Sequence, residues 1–427
     1  MQNDPQLRNC MTTVEDRGQF LTAAPARKPS TIASAPADHG RGNVVRLAVA
    51  QALAGANSTV VYATCAILGN MLAPDKALAT LPVSVLVVGM AASTLPAGVI
   101  ARRYGRRAAF LAGTGCGVVV GLLSAAAVLL GSFWLFCAAT FFGGVYQAVV
   151  LSFRFAAADG VRPELRPRAM SAVMAGGVFA GVLGPQLVTF TMHLWQPYLF
   201  AATFLAQAGV ALVSAFVLLG VRLPRPAAAE TAAGRSLSEI ARQPRFVAAV
   251  VCGAVSYMLM TLLMTSAPLA MKFCGLPQET ANLGLQWHVI AMYGPSFFTG
   301  RLIARFGAPR VVTSGLLLIA GAAGAGLAGT EIAHFWLSMI LLGTGWNFGF
   351  LGASALVLEC HRPEERTRVQ ALNDFLVFGA MVVASFASGG LLTGYGWAMV
   401  CWIAFPPLLI AWLALRAHAS RRIAMVC

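Results

Sequence analysis

Apolar residues run along this chain in blocks too long and too free of charge for the interior of a water-soluble domain. Residues 108–153, 169–221 and 246–271 are charge-free stretches of 46, 53 and 26 residues, whereas one membrane-crossing helix needs only about 20. The first two stretches therefore each predict two helices. One pair is joined by a minimal turn at Gly131-Ser132. The other is joined through His193-Leu194-Trp195-Gln196-Pro197-Tyr198, whose Trp and Tyr suit the headgroup level. Continued along the chain, the pattern predicts twelve spans: 44–71, a second ending near Ala101, 108–130, 133–158, two between 169 and 220, then 246–273, 281–304, 311–329, 334–358, 369–393 and 397–417. An even number of crossings leaves both termini on one side.

The segments between and beyond these blocks differ in kind. Residues 1–42 mix charges with Ala-Pro and Lys-Pro pairs and hold no apolar run of membrane length, which reads as a disordered tail. Residues 221–245 turn to Pro, Ala, Arg and Glu and read as a linker between a first bundle, 43–220, and a second, 246–417; residues 418–427 form a second tail. Inside the linker, Ser236 followed three residues later by Glu239 is a capping-box pattern and predicts a short helix over Ser236 to Arg242.

The polar loops repeat. Gly98 to Arg107 reads GVIARRYGRR and Gly300 to Arg310 reads GRLIARFGAPR; aligning Gly105 on Gly307 superposes Gly98 on Gly300 and Arg103 on Arg305 at an offset of 202. Asp159 to Arg168 and Glu359 to Arg368 each run from an acid to an arginine nine steps on, at an offset of 200. Two such echoes predict a duplicated, all-α membrane protein built as two pseudo-symmetric six-helix bundles.

Composition agrees: 58% hydrophobic residues, 11% charged and a mean hydropathy of +0.74 cannot be wrapped into a water-soluble surface. The formal charge of +15 would point to nucleic acid in a soluble protein. Here, of 30 Lys and Arg, only Lys76 and Lys272 fall in the alternate set of loops and Arg154 falls within a span. The rest gather in the tails and the other loops, the distribution that places those loops and both termini in the cytoplasm and the chain in the inner membrane. With no basic patch interleaved with stacking aromatics, no nucleic-acid partner is expected. Nine scattered cysteines with no CxxC and no His/Cys cluster predict neither disulfide nor metal. Nor is there an HExxH, a Gly-x-Ser-x-Gly or a paired catalytic carboxylate, so neither enzyme chemistry nor a cofactor is expected. The expected surroundings are a lipid bilayer, with the chain acting as a monomer.

With a glycine and basic cluster between spans 2 and 3, a weaker copy between spans 8 and 9, and a 6+6 layout, the chain resembles the major facilitator superfamily over about residues 43 to 417. Gly98, Arg103, Gly105, Arg106 and Arg107 fall on that family's inner-loop signature, G-x-L-a-D-r-x-G-r-r. The signature's acid is replaced by Arg102, with Ala304 in the second half, while Asp374 stands a turn and a half into span 11. The resemblance, with this departure, implies a charge-reversed cytoplasmic latch from Arg102 to Asp374. Arg107, Asp159, Arg168, Arg305, Glu359 and Arg368 complete the expected gate. The glycine-rich run Gly176, Gly177, Gly181, Gly184, Pro185 only partly resembles that of proton-driven drug exporters, and close helix packing explains it better.

The fold implied by the resemblance places a solute site at mid-membrane between the halves. Candidates there are Asn57, Ser58 and Tyr62 in span 1, Tyr146 and Gln147 in span 4, Tyr257 and Thr261 in span 7, and Trp346 and Asn347 in span 10. All fifteen acids lie in tails, loops or inner helix ends, so no mid-membrane carboxylate is expected, and Arg154 is expected to snorkel to the cytoplasmic surface. Amides, hydroxyls and rings without carboxylates suit a neutral or weakly anionic, planar solute. The stretches QALAGANSTVVYA, GVIARRYGRRAAFLAGTG and FRFAAADGVRP look like those of proteobacterial major facilitator members that import riboflavin, whose isoalloxazine ring and ribityl tail match such a cavity. Efflux of small molecules is the alternative.

Overall fold

A computed structural model describes residues 37–75, 78–223 and 235–424. The predicted tail over 1–36, most of the linker (224–234), residues 76–77 and the last three residues lie outside the described residues. Among the described residues the secondary structure is entirely helical. The first half holds α1 (Ala37–Leu72), α2 (Leu81–Tyr104), α3 (Arg106–Leu130), α4 (Phe133–Leu151), α5 (Phe153–Asp159), α6 (Arg166–Thr191) and α7 (Ala201–Leu219). A short helix α8 (Leu237–Ala241) leads to the second half: α9 (Pro244–Phe273), α10 (Gln278–Tyr293), α11 (Ser296–Phe306), α12 (Ala308–Ala328), α13 (Ile332–Val357), α14 (Arg366–Trp402) and α15 (Phe405–Ala424).

Ten helical stretches are long and apolar enough to cross a membrane. Two departures from one helix per span reconcile this with twelve crossings. Span 8 is divided between α10 and α11 at Gly294-Pro295, where Pro295 lacks an N–H and side chains from other helices hold the flanking residues. Spans 11 and 12 are joined through α14, whose backbone turns at Gly396, with φ +79° and ψ 173°. The helical body also begins at Ala37, inside the predicted tail, and ends at Ala424 rather than near 417.

Local chemistry explains the ends. Gly131 closes α3 in the left-handed region (φ +62°), and the Ser132 hydroxyl accepts the Leu135 N–H at 3.3 Å to start α4. Ser236 accepts the Glu239 N–H and caps α8 where the capping box predicted a helix. The repeat is visible in the backbone itself. Gly105 and Gly307, aligned by sequence, take φ/ψ of +89°/158° and +85°/149°, a region open essentially to glycine alone.

The halves meet along two antiparallel seams. On the first, α2 packs on α14: a side chain at Gly98 would come within 2.6 Å of the Ala371 methyl, and Ser84 and Ser385 hydroxyls meet at 3.3 Å. On the second, α6 packs on α10 and α11. A side chain at Gly300 would meet the Pro167 carbonyl at 2.6 Å and the Arg168 Cα at 2.8 Å. Two repeat-related glycines thus bring the halves together at the end that carries the arginine loops, which is closed. The glycine run of α6 divides between two faces. Gly176 and Gly184 admit α1, whereas Gly177 and Gly181 admit Tyr293 and Val289 of α10.

Candidate solute site and gate

At the centre of the interface lies an ion pair. Arg154, on α5, donates from Nη2 to the Asp374 carboxylate on α14 at 2.6 Å; the arginine is 0% exposed and the aspartate 4%. Arg154 also donates from Nε to the Ser354 hydroxyl at 3.1 Å and from Nη1 to the Leu151 carbonyl, and Asn373 donates to Asp374 at 3.0 Å. Its guanidinium carbon sits 4.2 Å from the centre of the Phe155 ring and 4.5 Å from that of Phe350. Arg154 and Ser354 are repeat mates at the offset of 200 and they touch, so the pair lies on the pseudo-twofold axis relating the halves. Two expectations are corrected here. Arg154 does not snorkel, and Asp374, at the inner end of its helix as expected, is buried between the halves and not solvated. The partner of Asp374 is Arg154 rather than Arg102, which forms no ion pair among the described residues. The buried acid needs a cation with every donor satisfied, and a partly exposed arginine in the last turn of α2 does not supply that.

Next to this pair, on the same turns of α13, the rings assemble. Trp346 stacks on Phe350 with centroids 5.2 Å apart and planes at 16°. Tyr257 stands edge-on to Trp346, Phe350 and Phe378 at 5.3, 5.1 and 5.7 Å, and Tyr293 edge-on to Trp346 at 5.8 Å. From the first half, Tyr62 reaches Gln147 and lies close enough to Tyr257 and Tyr293 to interact with both. Ser58 is one turn below Tyr62, its hydroxyl turned back to the Ala54 carbonyl. The Trp346 Nε1, Thr261 Oγ1 and Gln147 Oε1 atoms are buried without a hydrogen-bond partner among the described residues.

Of the predicted site residues, Tyr62, Gln147, Tyr257 and Trp346 therefore gather on this boundary, with Ser58 beside them and Thr261 buried one turn along α9 from Tyr257. Two groups do not. Tyr146 turns into the first bundle, over Gly117 and beside Asn57 and Ser214, so both Tyr146 and Asn57 belong to that bundle's packing. Asn347 is fully occupied by the break in span 8: it donates to the Met292 carbonyl and the Ser296 hydroxyl and accepts from Thr299.

The gate residues separate likewise. Arg106 binds Asp159 at 2.5 Å and, across the halves, the Gln370 side-chain oxygen at 2.5 Å; Gln370 in turn meets His361 Nε2 at 3.3 Å. Burial lowers the pKa of His361 from the ordinary histidine value, against the opposing pull of the Arg362 backbone and Asp159. The repeat mate of Arg106 is Ala308, and Glu359, mate of Asp159, pairs instead with Arg245. Arg368 donates to the Arg235 carbonyl at 3.2 Å, and Arg235 grips buried Glu365 through its backbone N–H and its guanidinium. Those hydrogen bonds hold the Glu365 carboxyl down at about 2. Arg103 and Arg305 lie over the neighbouring rings of Tyr104 and Phe306, while Arg102, Arg107 and Arg168 face outward at least in part. A cavity of about 50 Å³ lined by Thr94, Ser152, Arg106, Gln370 and Asp374 reaches from this end toward the buried pair, roomy and polar enough for water.

The family model described as Major Facilitator Superfamily matches residues 47–357. The chain belongs to the major facilitator superfamily. It is a multi-pass membrane transporter of a small-molecule solute and not an enzyme. Over 369 residues it is 44% identical to the riboflavin transporter RfnT of Brucella anthropi, covering 86% of this chain and 93% of that one. It is 28% identical to the uncharacterized MFS-type transporter YdeG of Bacillus subtilis, over 82% and 84% of the two chains. Among solved structures, the proton:xylose symporter XylE superposes with a TM-score of 0.71 at 15% identity, over 88% and 95% of the chains, which speaks for the fold alone.

Three groups in this superfamily member escaped the sequence reading. Tyr293 and Phe350 join the ring cluster, and Ser171 of α6 donates to the Ser296 carbonyl while accepting the Gly300 N–H at 2.9 Å. The only available signal was the Gly294-Pro295 step, which marks a break in span 8 and hence a place where side chains are re-aimed.

Proposed function

We propose that the chain imports riboflavin across the inner membrane by alternating access, as a monomer, with the arginine end and both termini in the cytoplasm. The observation that carries this reading is the ring cluster on the boundary between the halves. Its flat Trp346–Phe350 bed, edge-on tyrosines and unpartnered Nε1 and Oε1 atoms suit a planar heteroaromatic ring with a polyhydroxyl tail. The 44% identity to a riboflavin transporter over most of both chains supports the same solute. The basic loops on one end support the orientation. In this orientation the structure is closed toward the cytoplasm, and the Arg154–Asp374 pair must part for release. Expression in a riboflavin-requiring bacterial host should permit growth on low riboflavin and raise cell-associated label above a vector control. Reduced accumulation would mean efflux, and no difference from vector would reject riboflavin as solute.

A further inference from the structure

Tyr293 occupies an unusual position between the halves. A Cβ on Gly177 would come within 2.3–2.6 Å of three of its ring carbons, so the ring lies on bare α6 backbone. On its other side it meets Trp346 edge-on at 5.8 Å. It is also the last residue of α10, immediately before the Gly294-Pro295 break, so its ring direction depends on how that break is held. Two residues hold it. Asn347, next to Trp346, ties Met292, Ser296 and Thr299 together from α13. Ser171, six residues before Gly177 on the same α6, bridges the Ser296 carbonyl and the Gly300 N–H in the first turn of α11. The first half therefore supplies both the shelf under the ring and one anchor of the break, and the second half supplies the ring and the other anchor.

We infer that Tyr293 is a specificity-determining residue: the one ring of the solute site that both halves position, stacking on a planar solute only while α6 and its Gly177 shelf are docked against α10. The inference rests on the proposed riboflavin site and adds what sets its ring recognition. When the arginine end opens, α6 withdraws from α10 and α11, and Tyr293 loses its shelf and leaves the solute, which favours release. Gly177 is small for this reason, beyond helix packing. Any side chain there lifts the ring toward the solute space.

The test is riboflavin uptake kinetics for four variants, with lumichrome, the planar ring without the ribityl tail, as competitor. Tyr293→Leu should raise KM about tenfold, the scale of a lost ring stack, with kcat changed far less, and should weaken competition by lumichrome. Tyr293→Phe, which keeps the ring, should restore both. Gly177→Ala should raise KM in the presence of Tyr293 and add nothing to Tyr293→Leu in the double variant. An unchanged KM in Tyr293→Leu, or independent, additive effects of Gly177→Ala and Tyr293→Leu, would overturn the inference. Absence of riboflavin uptake by the unaltered protein would instead overturn the solute assignment on which it rests.

Discussion

Arg154 shows how much a single residue can depend on contacts that sequence distance hides. Removing one member of a fully buried, hydrogen-bonded pair strands the other charge, at a cost of about 3–5 kcal/mol. Arg154→Ala and Asp374→Ala are each expected to lower the melting temperature in detergent and to abolish uptake. Arg154→Gln with Asp374→Asn should melt above either Ala variant, and Arg102→Ala should melt near the unaltered protein; destabilisation by Arg102→Ala equal to that of Arg154→Ala would contradict the pairing. Glu365 supplies a pH signature. Its folded pKa, about 2 against an ordinary 4.5, is depressed. Its contribution is thus complete above the unfolded value and is lost as pH falls through the folded one. The melting-temperature gap between the unaltered protein and Glu365→Gln should be constant from pH 5 to 8 and shrink below about 4.5; a gap that widens on acidification would contradict the assignment. Neither Arg154 nor Glu365 could be placed from sequence. A lone arginine in an apolar run reads equally as snorkelling or as paired, and the acid that decides between them is 220 residues away.

Elements were legible where local chemistry sets them and illegible where tertiary contacts do. The Gly131-Ser132 turn, the capped α8 and the paired Gly105 and Gly307 turns are all short-range, and each forms as the residues predict. Span 8 was predicted as continuous although Pro295 was in view. Pro96, Pro185 and Pro268 also lie inside spans and leave α2, α6 and α9 unbroken, so proline alone does not decide. Pro185 also follows a glycine, Gly184, so the Gly-Pro step does not decide either; what distinguishes Pro295 is the pins from Asn347 and Ser171, and those come from other helices. The seams carry their own test. Gly98→Leu and Gly300→Leu each place a side chain where the facing helix now sits, so each should force the arginine end apart. Cysteines introduced on that end should then label faster with a membrane-impermeant reagent applied on that side. Labelling as slow as in the parent protein would mean that the close approach does not govern closure.

At the scale of the whole molecule, the duplication was the most informative sequence signal, because it predicted two pseudo-symmetric halves and hence an axis between them. Two repeat-related glycines do close the two seams, and two repeat-related positions, Arg154 and Ser354, do touch on that axis. The site itself was only half legible. Polar and aromatic residues deep in the spans could be enumerated, yet which face the boundary depends on helix rotation, and the weak amphipathic pattern of membrane helices does not encode it. Thus Tyr146 and Asn57 turn inward to the first bundle while Tyr293 and Phe350 complete the cluster. The most direct test of a riboflavin carrier working by alternating access is counterflow. Proteoliposomes loaded with unlabelled riboflavin and diluted into a trace of labelled riboflavin should accumulate the label transiently and saturably, well above liposomes without protein. Label that never exceeds the protein-free level, or that enters without saturation, would contradict the account.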